Sequence, residues 1–304
     1  MSHSIEGVLP IIHTPLLEND EIDRESLHRQ IDWTFSQGAN GICSAMVSEV
    51  LRLTTHERNA LAQMMVDMAE GRGAVIASVG AESTKQAVLF AQEAETVGCD
   101  AIMAIAPITT ALPETALWNY YRTLADRVDL PLIVQDASSY VGQSMPISFF
   151  VRLLEEYGPD KILFKPEAAP IGSNLSQLRD ATEGKARVFD GSGGILLVDA
   201  FRRGIAGTMP GVDLLDGIVA LWNALRRGDE RAIYRLSFPI GALVALQLQA
   251  GLDGFLAIEK YILVRRGLFR CDHRREPFAW SLDQETAAEI DRLLDRLQEA
   301  IGDK

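Results

Sequence analysis

Lys165 ends the apolar run Ile162-Leu163-Phe164, an unusual place for a lysine. Lysine is seldom buried unless it is paired or used. A buried amine that sheds its proton can attack a carbonyl carbon and form an imine. The competing reading is a strand-end lysine that reaches solvent or pairs with Glu167. This segment alone leaves the two readings even. Glu167 follows two residues later, and side chains at i and i+2 share a strand face. A carboxylate there could act as an acid or base or form a structural ion pair, and Pro166 between them could bend the strand end.

Other segments carry weaker signals. Ser48 and Glu49 could hold a substrate carboxylate through the hydroxyl and nearby N–H groups, or could simply start a helix and fasten a loop. Gly191-Ser192-Gly193-Gly194 could bind an anion through backbone N–H groups, or could be a tight strand-to-helix turn. It is too short for a nucleotide-binding fingerprint. The histidines at 3, 13, 28, 56 and 273 have no metal-ligand spacing, so no bound metal is expected. His13 could face the same site, with a structural role preferred. Tyr120 and Tyr121 sit in a helical pattern and read as packing.

Short unbroken apolar runs must position these residues. They cover residues 7–14, 41–47, 74–79, 101–106, 130–135, 162–165, 186–189 and 205–209. Such runs fit strands buried on both faces of a parallel sheet. Amphipathic helices alternate with them. Asp23, Thr55 and Ser83 read as helix starts, Pro113 and Pro146 as first-turn prolines, and Gly38, Gly71 and Gly98 as stops. Eight strand–helix units in about 225 residues predict a (β/α)8 TIM barrel of the α/β class, residues 1–228. A doubly wound open sheet ranks lower, because the chain lacks a glycine-rich dinucleotide turn. Residues 229–304 predict a C-terminal helical appendage with helices near 230–250, 254–266 and 283–301. In a barrel the C-terminal strand ends carry the site. That selects Thr14, Ser48, Glu49, residues 107–110 and 135–140, Lys165, Glu167, residues 191–194 and residues 209–211.

The net charge of -13 argues against nucleic acid as a partner. Cys43, Cys99 and Cys271 are too few and too scattered for a disulfide framework or a zinc site. No run of 18 apolar residues and no secretory pattern occurs, so a cytoplasmic protein without a membrane span is expected.

Five segments carry a family likeness: GVLPIIHTP from Gly7, GANGICSAMVSEVLRLTTHER from Gly38, DLPLIVQDASS from Asp129, KILFKPEA from Lys161 and VFDGSGGILLVDAFRRGIAGTMPG from Val188. Together they resemble the dihydrodipicolinate synthase / N-acetylneuraminate lyase superfamily of class I lyases, over nearly the whole chain. The resemblance makes Lys165 the Schiff-base lysine and implies no cofactor. It implies a small-molecule 2-oxo acid substrate and a homo-oligomer, either a tetramer built from dimers or a dimer. By the same likeness Gln135 and Glu167 join Lys165 in catalysis. Val47, Ser48, Glu49, Thr109, Tyr140, Gly191, Ser192 and Met209 would contact substrate.

Departures from the family pattern matter. The synthase motif Thr-Thr-Gly-Glu after strand two reads Met46-Val47-Ser48-Glu49. The catalytic tyrosine at the end of strand five is replaced by Gln135, the following arginine by Tyr140, and the paired tyrosines after strand four by Ile108 and Thr109. The usual threonine–tyrosine proton relay is missing, so lysine biosynthesis is a poor assignment. Ser48-Glu49, Gln135-Asp136-Ala137 and Phe164-Lys165-Pro166-Glu167 resemble the 2-keto-3-deoxy-L-arabonate dehydratase branch in part; that branch keeps a tyrosine after strand four that this chain lacks. A lysine imine could drive loss of a 4-hydroxyl or cleavage of C3–C4. Glutamine cannot titrate, which favours dehydration over a pyruvate-dependent aldolase. A barrel that binds a 2-oxo acid without turning it over is the third reading.

Overall fold

The computed structural model describes residues 3–302. Strand and helix alternate eight times: β1 (Gly7–Val8), α1 (Arg24–Ser36), β2 (Gly41–Cys43), α2 (Thr55–Ala69), β3 (Ala74–Ser78), α3 (Thr84–Val97), β4 (Ala101–Ile105) and α4 (Glu114–Arg127) make the first half. The second half is β5 (Leu132–Asp136), α5 (Ile147–Tyr157), β6 (Ile162–Pro166), α6 (Ile171–Ala181), β7 (Phe189–Asp190), α7 (Leu197–Arg202), β8 (Gly207–Thr208) and α8 (Leu215–Arg227). All ladders are parallel, in the orders β2-β3-β4-β5-β6 and β1-β8-β7. Parallel bridges Ile11–Cys43 and Phe164–Val188 join the two sheets at both seams and close the ring. The expected (β/α)8 barrel is the fold.

The strands are buried on both faces, and their alternation sorts side chains into two layers. Ile42, Val75, Ile102, Leu132, Val134, Ile162 and Phe164 point outward into the core shared with the helices. Leu9, Cys43, Ile76, Met103, Ile133 and Leu163 fill the barrel interior. Lys165 is in phase with Leu163 and Gln135 with Ile133, so both project inward. They are paired in register on adjacent strands.

Several boundaries differ from the sequence expectation. Regular strand one stops at Val8 rather than running to residue 14, because Pro10 has no N–H to give the ladder. Strand two ends at Cys43, and residues 46–48 form a 3-10 turn instead of extending it. Strands seven and eight are two residues each, shorter than expected. Thr54, not Thr55, caps α2, in a reciprocal capping box with Glu57. Pro113 and Pro146 stand one residue before their helices, in extended conformation. The Asp23 and Ser83 caps accept the expected backbone N–H bonds.

Three further helices follow: α9 (Glu230–Leu248), α10 (Gly251–Arg265) and α11 (Gln284–Gly302). They share one apolar core with α8, through Leu221, Leu225, Ile233, Leu243, Ile258 and Leu297. α10 is buried nearly all round from Gly254 to Leu263, and this burial includes Glu259 and Lys260. Among the described residues no helix is long and apolar enough to cross a membrane.

Candidate active site

Lys165, Glu167 and Gln135 meet where the inward layer ends. Lys165 Nζ lies 3.1 Å from Glu167 Oε1. Gln135 Nε2 donates to the other carboxylate oxygen at 2.6 Å. Pro166 does not spoil the shared face: it belongs to β6, and the Glu167 N–H bonds Asp136 O at 2.9 Å, which carries the strand one residue further. All three side chains are buried, with 4%, 3% and 3% exposure in that order. Burial pushes the Glu167 carboxyl up from the ordinary carboxylate range, against the pull of the Lys165 charge and the Gln135 amide.

The three groups line a cavity at the barrel mouth. Its walls also include Val47, Tyr140, Gly191 and Met209, all expected at the site. Gly191 is there because nothing larger fits. A Cβ on it would lie 2.7 Å from Lys165 Cε and would run into the Glu167 carboxylate. Tyr140 packs edge-on against Phe255 of α10, ring centroids 5.8 Å apart. Burial raises its phenol, and the charges of Glu167, Asp190 and Glu259 act in the same direction, so the hydroxyl lies among three acids.

Four expected contacts fall elsewhere. The Ser48 hydroxyl donates to Ile12 O and accepts from Ala45 N at 3.1 Å, so its bonds go to the backbone and it does not line the cavity. Glu49, in left-handed backbone with φ 56°, forms a fully buried ion pair with Lys260. It fastens the loop after β2 to α10. Ser192 supports its own turn: its hydroxyl donates to Asp190 Oδ2 at 3.1 Å and accepts from Leu196 N at 3.0 Å. Thr109 is exposed and bonds Glu82 through N–H and hydroxyl, outside the cavity. Tyr120 and Tyr121 are buried edge-to-face, as packing residues.

Ala45, Met46 and Val47 of the same loop line the cavity instead. Met46 and Val47 open the 3-10 turn, and among the described residues neither N–H has a hydrogen-bond partner. Sequence reasoning missed Leu252, Phe255 and Glu259, which α10 brings to the cavity wall. A usable signal existed: Glu259 and Lys260 are adjacent charges in the middle of the otherwise uncharged run from Gly254 to Val264.

Fold and site together define a (β/α)8 barrel with a buried lysine–glutamate pair at the C-terminal end of its sixth strand. The chain belongs to the dihydrodipicolinate synthetase family, a lyase family whose profile matches residues 4–297. It is 27% identical to the L-2-keto-3-deoxyarabonate dehydratase of Azospirillum brasilense, covering 96% of this chain and 94% of that one. It is 28% identical to the 4-hydroxy-tetrahydrodipicolinate synthase of Methanosarcina mazei, covering 79% and 81%. The fold matches the 4-hydroxy-tetrahydrodipicolinate synthase of Methylacidiphilum fumariolicum with a TM-score of 0.88 at 22% identity, over 98% and 97% of the two chains. It matches the dihydrodipicolinate synthase of Acinetobacter baumannii complexed with pyruvate at 0.87 and 23%, over 97% and 99%.

Proposed function

We propose that this protein is a Schiff-base lyase that removes water from a 2-keto-3-deoxy sugar acid. The observation that carries the reading is the buried Lys165 with Glu167 Oε1 3.1 Å from its Nζ, both on the cavity wall. Lys165 condenses with the 2-oxo group. Glu167 stands where a proton must move as the carbinolamine loses its hydroxyl and as C3 is deprotonated. The imine nitrogen takes up the electron pair from C3–H. The Met46 and Val47 N–H groups, at the open end of a turn, suit the substrate carboxylate. Gln135 holds Glu167 and does not titrate.

Dehydration is preferred to aldol cleavage for two reasons. Cleavage of C3–C4 needs a base for the 4-hydroxyl proton, and Gln135 cannot serve. Tyr140, the phenol on the cavity wall, is surrounded by acids that hold its proton more tightly. The dehydratase relative that spans 96% of the chain supports the same choice. Residence in the cytoplasm and assembly into a tetramer or dimer are part of this proposal; light scattering on the purified chain tests the assembly.

Borohydride trapping with pyruvate and with 2-keto-3-deoxy-L-arabonate tests the function. The expected result is a reduced adduct on Lys165 by peptide mass spectrometry and loss of water from the sugar acid. Folded protein that forms no adduct with any 2-oxo acid would leave the barrel as a binding module.

A further inference from the structure

One wall of the cavity belongs to the C-terminal helices, and it carries a buried acid. Glu259 on α10 lines the cavity at 2% exposure. Its Oε2 lies 2.5 Å from His13 Nε2, on the segment after β1. Its Oε1 shares the space above Gly211 with a second carboxyl group: a Cβ on Gly211 would lie 2.6 Å from Glu259 Oε1 and 2.6 Å from Asp213 Oδ1. Asp213 Oδ2 accepts from Gln247 Nε2 of α9 at 2.7 Å. His13, Asp213 and Gln247 are buried too, at 0%, 2% and 1%. The other ring nitrogen of His13 has no partner among the described residues.

Among the described residues no lysine or arginine bonds the Glu259 or Asp213 carboxyl group, although the Arg266 charge pulls Asp213 down in part. Lys260 is committed to Glu49 and His273 O. Arg266 is committed to the Asp216 carboxylate and the Asp213 backbone oxygen. Lys165 is committed to Glu167. Tyr140 and Asp190, the remaining titratable groups nearby, add no positive charge. Two ionised carboxylates in one buried site repel, so the cluster retains a proton at neutral pH. Burial holds the Glu259 carboxyl well above the ordinary carboxylate range. Burial, and next the Glu259 charge, push Asp213 up to about 7. Burial lowers His13 to about 4, leaving the ring neutral. Buried, unneutralised carboxyls are costly to the fold, and where they open on a cavity they mark acid–base function.

Resting on the dehydration reading above, we propose that Glu259 is the catalytic acid that protonates the departing 4-hydroxyl, with His13 and Asp213 as positioning residues that hold its proton. In the enamine formed after C3 loses its proton, the nitrogen pair re-forms C2=N and the C2=C3 pair becomes C3=C4. The C4–O bond breaks, and its electrons stay on oxygen. That oxygen takes the Glu259 proton and leaves as water. The proton released from C3 balances the one that Glu259 gives up, and no oxidant or reductant enters. Glu259 thereby takes a task that the missing tyrosine cannot perform.

The test compares full-length wild type, Glu259→Gln and Asp213→Asn in two assays. One is borohydride trapping of pyruvate; the other is turnover of 2-keto-3-deoxy-L-arabonate and 2-keto-3-deoxy-D-gluconate across pH. Glu259→Gln should trap pyruvate on Lys165 within about threefold of wild type but lose roughly 100-fold or more in turnover. Asp213→Asn should move the alkaline limb of the pH profile to lower pH, because removing a neighbouring negative charge weakens the Glu259 hold on its proton. Glu259→Gln turnover within about threefold of wild type overturns the proposal. If Glu259→Gln does not fold, the Asp213→Asn limb decides: a shift supports the proposal and an unmoved limb overturns it. Wild type that traps pyruvate yet dehydrates neither sugar acid overturns it along with dehydration. Wild type that forms no adduct overturns the Schiff-base reading instead.

Discussion

Gln135 and Lys165 are register partners on neighbouring strands, and both bond the same carboxylate, Glu167, one through each oxygen. The pair is therefore built by the ladder itself rather than by a loop. Rigid strands hold the amine and its carboxylate in a fixed relation, which is what proton transfer between them needs.

Lys165→Met tests that relation through stability. Removing one partner of a buried ion pair leaves an uncompensated charge and costs about 3–5 kcal/mol. Burial already raises Glu167, and losing the cation raises it further. An acid raised in the folded state loses stability as pH rises through the interval between its unfolded and folded values. The deficit of Lys165→Met should thus be large at pH 8 and shrink under acid conditions that protonate Glu167. Urea melts at both pH values check it; a deficit independent of pH would contradict the pairing.

Gly191→Ala forces a methyl group against Lys165 Cε and the Glu167 carboxylate. Overpacking of this kind costs about 1–3 kcal/mol. The larger effect should be functional, because the intruding atom displaces the amine itself. Borohydride trapping on Lys165 is expected to slow by roughly tenfold or more, beyond what a modest loss in Tm explains. Unchanged trapping would mean that the turn yields and the amine does not.

Glu49→Ala separates fastening from chemistry. Glu49 is buried against Lys260 and does not line the cavity. Its loss should lower stability by about 3–5 kcal/mol. Below the lowered Tm, pyruvate trapping should stay within about threefold of wild type. A selective loss of trapping with normal stability would return Glu49 to the site.

Asp213→Asn should change the pH dependence of stability. Asp213 is raised from 3.8 to about 7 by burial first, so the folded state binds more protons than the unfolded state between those values. Wild-type stability carries a penalty that grows across that interval. Relative to wild type, the variant should gain stability from pH 4 to pH 7, by up to ~4 kcal/mol. His13, lowered to about 4, acts oppositely, and losing the Asp213 charge that pulls it up lowers it further in the variant. A flat difference would refute the raised acid.

The periodicity of apolar runs was enough to count eight strand–helix units, while an inward face for Lys165 and Glu167 stayed one of two even readings until the structure kept Pro166 in the strand. Strand alternation is a local property, so Leu163, Lys165 and Glu167 had to share a side once β6 existed. Strand ends were less legible. Met46 and Val47 extend the apolar run of a strand, yet residues 46–48 turn, because Ala45, Ser48 and Ile12 exchange bonds across the chain.

By itself, then, the chain's sequence determined the barrel and singled out Lys165 and the carboxylate beside it. Only tertiary structure decided which groups surround the substrate space. Ser48 and Glu49 look like ligands beside a strand end, but Ile12 and Lys260 take their bonding capacity. Glu259 sits 94 positions after Lys165 in an appended helix, yet α10 packs it onto the same cavity as the lysine. No local pattern encodes that meeting. It follows from how α8 to α11 share one core and lay α10 across the barrel mouth. Burial then sets the protonation of His13, Asp213 and Glu259, which residue type alone leaves open.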